Sequence, residues 1–252
     1  CMYESLIDNL AEIFSYTLTE GSSFGVLTHF WVTGDPVIVY IEVENIFNRI
    51  DFSVIDLSTF SYYIDGETVP SIQFVPHLLT GVGFNDQQAP WGTKWIGKGA
   101  NSGAGTIICK QLFFSSIILL NSTSRVPFQK SIRVTGKLPA TSDDNKIIWI
   151  IVRGTENLPT EFQGFQLPPN ARLVLQKIEN QIFAPLAWAR VVDIPTGQGL
   201  LLSHTLAVIS GALSFLEGCY HAYTPYNQTF PGLIVSTGTE DYFDSAFYFN
   251  GG

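Results

Sequence analysis

Beyond Phe14 the chain is written in short apolar runs separated by Gly, Pro and Asn, and that punctuation leaves strands as the main building material. Val37, Val39, Ile41 and Val43 fall on one side of an extended segment and Glu42 and Glu44 on the other, the pattern of a half-buried strand. Lys146 to Val152 is an unbroken apolar run, as expected for a strand covered on both faces. Ala171 to Ile178 and Trp188 to Ile194 repeat the short-strand pattern. Leu200 to Leu216 is interrupted by Ser203, His204, Thr205, Ser210 and Ser214, so it reads as buried strands and not as a membrane span. Many short strands at regular spacing imply an all-β sandwich or jelly roll. One segment departs from this rule. Met2, Tyr3, Leu6, Ile7, Leu10, Ile13 and Phe14 form a helical stripe, which predicts a short N-terminal helix within residues 1–20.

Two polar stretches divide the remainder. Pro139 to Asn145 is a turn, and Gly154 to Asn170 is a Pro- and Gly-rich connection. The expected organisation is an N-terminal helical segment over 1–20, a first β unit over 21–153 and a second, incomplete at its C-terminal end, over 154–252. No repeat of solenoid period, GxGxxG turn or Walker loop is present.

Charge narrows the function classes. Only 14% of residues are charged, against 46% hydrophobic, with 19 Phe, 10 Tyr and 5 Trp. A surface so poor in charge keeps apolar patches that other subunits would cover, which points to self-assembly. A net charge of -9 argues against a nucleic-acid partner, because phosphate binding needs a basic surface. Two sequons, at Asn121 and Asn227, are candidate glycosylation sites and, with the low charge, imply an extracellular, secreted protein, although no signal peptide is visible. Cys1, Cys109 and Cys219 allow one disulfide and one free thiol, with the pairing open. His29, His204 and His221 lack metal-ligand spacing, so no metal and no cofactor is expected.

The chemistry concentrates near the C-terminal end, in Ser236 to Asn250, which sets Glu240, Asp241 and Asp244 among aromatic residues. A carboxylate beside Tyr242 and Phe243 would be partly desolvated, which suits it to acid–base or nucleophilic work. The alternative is a turn with solvated acids. Residues 81–105 form a long Gly-rich loop carrying Trp91 and Trp95. With Trp31 these indoles are either a platform for sugar rings or pins that hold the loop to the sandwich.

The segment STGTEDYF…AFYF resembles the hallmark of domain-of-unknown-function family 2961, which overlaps glycoside hydrolase family 172. Gly25 to Thr33, Tyr63 to Ser71, Val126 to Val134 and Leu216 to Tyr220 resemble further family segments in the family's order, over roughly residues 22–250. The resemblance implies a tandem jelly roll forming trimers, hexamers or larger assemblies, with active sites near subunit contacts. It also implies retaining hydrolysis of fructofuranosides or arabinofuranosides, with Glu240 as a catalytic carboxylate, the nucleophile, and Asp241 and Tyr242 supporting it at the substrate. Retention needs two carboxyl groups about 5–5.5 Å apart. The family's second glutamate lies further along than Gly252, which leaves Glu217, Asp244 or a neighbouring chain to supply the partner. The family's Arg- and Gly-rich opening segment is not recognisable in residues 1–20. Two readings follow: a carbohydrate-active enzyme with glycan substrates, or a glycosylated structural subunit that assembles into fibres or shells without catalysis. A sugar-binding module without turnover is the third.

Overall fold

Alternating burial along the strands organises the protein into antiparallel sheets. The computed structural model describes residues 10–34, 36–43, 46–53, 58–76, 91–92, 96–98, 106–108, 125–138, 148–162, 165–179, 181–193, 199–202, 204, 206, 208, 213–223, 229, 232, 234–236 and 238–242. The chain divides into two compact units, one comprising residues 1–177 and 200–207, the other residues 178–199 and 208–252.

The first unit contains two sheets. Strands β1 (Ala11–Thr17), β5 (Thr59–Ile64), β6 (Ile72–Phe74) and β11 (Ser131–Lys137) form a four-stranded sheet in the order β1-β11-β5-β6. The second sheet has β2 (Gly25–Gly34) as its axis. On one side β2 pairs with β10 (Val126–Phe128) and β9 (Thr106–Ile108), which leads on to β8 (Ile96–Lys98) and β7 (Trp91–Gly92). On the other side it pairs with β12 (Ile148–Glu156). Strands β3 (Pro36–Val43) and β4 (Ile46–Ser53) make a separate antiparallel pair, as do β13 (Glu161–Phe162) and β14 (Phe165–Gln166).

One core joins the two sheets. Leu27, Phe30 and Val32 of β2 meet Phe60, Tyr62 and Ile64 of β5, together with Phe74, Val126, Phe128, Ile132 and Val134. Phe30 is fully buried and stands edge-on to Phe60 and to Tyr62, each at 5.5 Å between ring centroids. Edge-to-face pairs of this kind add to the burial of the rings themselves.

Turns fix the register. Asp65 (φ 55°) and Gly66 (φ 86°) are consecutive left-handed residues, and the Glu67 amide donates to the Ile64 carbonyl at 3.2 Å. This is the type I′ geometry for which Asp-Gly is suited. The Glu67 carboxylate then accepts from the amides of Ile64 (2.9 Å) and Ser71 (3.2 Å) and from the Ser71 hydroxyl, shaping the loop into β6.

Several sequence expectations are corrected. Ala11–Thr17 is strand β1 and no helix is present there; residues 1–9 lie outside the described residues. The register jumps between Glu12 and Phe14, a bulge that leaves Ile13 unpaired. Both Ile13 and Phe14 consequently pack against the core. A bulge places two neighbours on one face, and in sequence this resembles a helical stripe. The run ending at Val152 is not covered on both faces: Ile148, Ile150 and Val152 pack on the core, whereas Trp149 is 51% and Ile151 41% exposed.

The segment from Ala171 is extended, with Leu173 and Leu175 reaching the core and the Leu175 amide donating to the Ser71 carbonyl at 3.1 Å, yet it joins no strand ladder. Trp188 to Asp193 forms no strand either and is exposed throughout. Leu200, Leu201, Leu206 and Val208 are also exposed, so the described part of residues 200–216 is not a set of buried strands.

In the second unit, a 3-10 helix (Leu213–Leu216) precedes the hairpin of β15 (Tyr220–Ala222) and β16 (Ile234–Ser236), and helix α1 (Thr239–Tyr242) follows. No helix among the described residues is long and apolar enough to cross a membrane.

Candidate functional site

The segment carrying Glu240 follows directly from the β15–β16 hairpin. Strand β16 ends at Ser236, and the chain passes through the buried Gly238 into α1, where the Tyr242 amide donates to the Gly238 carbonyl at 3.2 Å. Glu240 and Asp241 are the central residues of this single turn, and only their backbone is described. Tyr242 is half-buried and stands edge-on to Tyr220 of β15 at 4.8 Å. Burial, and secondarily Tyr220, raises its phenol pKa, so the hydroxyl stays protonated at neutral pH. The helical turn is thereby braced against the hairpin through an aromatic pair.

Alternation along β15 sets a second aromatic group apart from Tyr220. His221 and Tyr223 share the opposite parity, their rings stacked 5° from parallel with centroids 5.8 Å apart. The indole of Trp188 meets His221 edge-on at 4.7 Å. Trp188 is 69% and Tyr223 52% exposed, so the group presents ring surface to solvent. Gly232 (φ 78°) makes this arrangement possible, since a Cβ there would lie 2.6 Å from the Ala222 carbonyl oxygen and 2.9 Å from the Tyr223 ring. The i, i+2 spacing of His221 and Tyr223 is the sequence signal for their stacking, whereas nothing in the sequence points to Trp188, which comes from a distant segment.

In the first unit, Trp31 lies on β2, half-buried, opposite Ile151 of β12 and Ile107 of β9. Residues directly opposite across a ladder share a face, so the outward row also holds Thr33 with Trp149 and His29 with Arg153. Trp149 and Trp31 are therefore diagonal neighbours on one surface. Arg153 and burial together lower the His29 pKa, with burial the larger cause, so the imidazole is neutral at neutral pH. Trp149 was missed because its run of apolar neighbours hides the parity that links Trp149, Ile151 and the charged Arg153.

The remaining expected site residues are only partly visible. Trp91 opens β7 and pairs with Lys98, in the register row that passes through Thr106 to Val32 and not in the row of Trp31. Trp95, Asn121 and Asn227 lie outside the described residues, as does Asp244. Glu217 is exposed at the end of the 3-10 helix, where its amide donates to the Ser214 carbonyl at 3.2 Å. Cys219 is an exposed free thiol. Among the described residues no three His, Cys, Asp or Glu side chains are grouped as metal ligands. Comparison with protein-family models and with curated proteins gave no match to this chain.

Proposed function

We propose that the chain is a secreted, carbohydrate-active protein of the tandem jelly-roll type, hydrolysing fructofuranosides or arabinofuranosides with retention of configuration. Glu240 is the nucleophile, Asp241 and Tyr242 flank it at the substrate, and Asn121 and Asn227 carry glycans. The observation that supports this reading best is the bracing of the Glu240 turn. A nucleophile must be held to within about half an ångström of its target, and a turn packed by Tyr242 on Tyr220 is a suitable mount. The phenol of Tyr242, protonated at neutral pH, is of the chemical type that donates to a sugar hydroxyl or ring oxygen. In the first unit, Trp31 on the outward row of the sheet built on β2 is the indole offered to sugar rings, and Trp91, in the other register row, does not share that row. The second carboxyl group comes from Glu217, Asp244 or another copy of the chain. Assay on aryl arabinofuranosides and fructofuranosides tests the proposal. Glu240→Gln should lower kcat by on the order of 10³-fold or more, and Tyr242→Phe by roughly tenfold. Full activity in Glu240→Gln rejects the hydrolase.

A second reading is a structural subunit that assembles as trimers, hexamers or filaments. It is favoured by the apolar side chains left in solvent, among them Ile182 at 90% and Trp188 at 69% exposure. Electron microscopy of the purified protein separates discrete rings from filaments.

A further inference from the structure

Strand β12 offers a second opportunity for pairing. It is bonded to β2 along one edge, and among the described strands nothing pairs with its other edge. A nine-residue edge with no partner among the described strands is a template for another strand. Proteins protect such edges with prolines, inward charges or short length, and Ile148 to Val152 has none of these.

The occupant is indicated by the strand's own sequence. When two copies of one strand pair antiparallel about a two-fold axis, residue k+m meets residue k−m of the second copy. With the axis at Ile151, Ile150 meets Val152 of the second copy on the inner face, and on the outer face Ile151 meets its own counterpart, so the centre of the ladder is apolar on both faces. On the outer row Trp149 meets Arg153 of the second copy, and the contact occurs twice. An indole face opposite a guanidinium is the preferred cation–π pairing. Trp149 is half-exposed, and among the described residues no carboxylate pairs with Arg153.

Neighbouring registers lose the indole–guanidinium contact. An axis at Ile150 sets Trp149 against Ile151 and leaves Arg153 without the indole, an axis at Val152 places Arg153 against Ile151, and an axis at Arg153 opposes two guanidinium groups. Ile148 meets Gly154 at the end of this register, next to the bulge between Arg153 and Gly154, which limits the ladder to seven residues.

We infer that β12 pairs with β12 of a second copy of this chain, antiparallel and centred on Ile151, extending the sheet built on β2 across the dimer. This rests on the self-assembly reading and is independent of the hydrolase. Sedimentation of the full chain over a concentration series should show a dimer. Ile151→Lys, which opposes two ammonium groups on the axis, should weaken association by about 100-fold while leaving the β-sheet circular dichroism intact. Under mild oxidation Ile151→Cys should form a disulfide-linked dimer in far higher yield than Ile150→Cys, whose counterpart is Val152. A wild-type chain monomeric at every concentration overturns both this pairing and the assembly reading. Association unchanged in Ile151→Lys, with no enhanced cross-linking at Ile151→Cys, overturns the β12 pairing alone and leaves assembly to another surface.

Discussion

Glu156 illustrates how much one carboxylate can hold. It accepts from the Tyr16 hydroxyl (2.9 Å), the Thr19 amide (2.8 Å), the Thr19 hydroxyl (2.5 Å) and the Ser22 hydroxyl (2.5 Å). The loop between β1 and β2 is thus clasped to the end of β12. Hydrogen bonds from Ser22 first, then Thr19 and Tyr16, push its pKa from the ordinary 4.5 down to about 2. A depressed pKa means the stabilisation is fully present above the unfolded value and fades as pH falls through the folded one. Glu156→Gln should therefore lower Tm by several degrees at pH 7, and the gap between variant and wild type should shrink between pH 4.5 and 2. Calorimetry across that range checks it; a gap that does not change with pH would show that the clasp does not depend on charge. In the core, Phe30→Ala removes a fully buried ring and two edge-to-face contacts. The expected loss is about 3–5 kcal/mol in urea unfolding.

Among elements, the turn at Asp65 ties the β5–β6 hairpin to the connection between the two sheets. One carboxylate oxygen accepts from the amides of Gln129 (2.8 Å), Lys130 (2.5 Å) and Ser131 (3.1 Å), and the other meets the Arg172 guanidinium. The β5–β6 turn is thereby held against the connection from β10 to β11. Asp65→Ala strands three amides and should cost about 2–3 kcal/mol, whereas Arg172→Ala, at a partly exposed pair, should cost less than about 1 kcal/mol. Chemical denaturation of the two variants gives the comparison, and equal losses would place the energy in the ion pair instead. This segment is marked in the sequence only through its family resemblance, and the Asp-Gly pair that carries its turn geometry is not singled out there. Strand β3 is legible because strict alternation has one simple reading. Strand β1 was not, because the bulge at Ile13 breaks alternation and the signal that remains has helical spacing. β12 was legible as a strand but not as a strand open on one face, since apolar residues on both parities conceal which side is covered. The Glu240 segment was found by its concentration of acids and aromatics. Its bracing partner Tyr220 was not, because that contact depends on a hairpin closing.

At the scale of the whole molecule, two surface properties act against each other. The chain carries 22 acidic and 13 basic residues, a net charge of -9, so copies repel at neutral pH. It also leaves large apolar side chains in water, including Trp149, Ile182, Leu186 and Trp188. Burying them stabilises association in proportion to area, at roughly 25 cal/mol per Å², and salt scarcely changes that contribution. The repulsion is different in kind. Charges separated by more than about 10 Å are largely screened at 0.1 M salt, and nearly all are screened by 1 M. Association held by apolar strands and opposed by net charge should therefore grow stronger as salt rises. It should also strengthen as pH falls toward the isoelectric point near 4.8, where the net charge vanishes. Sedimentation at a fixed concentration in 0.05 M and 0.5 M sodium chloride distinguishes the cases. A heavier species at the higher salt is expected, whereas dissociation there would mean that ion pairs, and not apolar surface, hold the copies together.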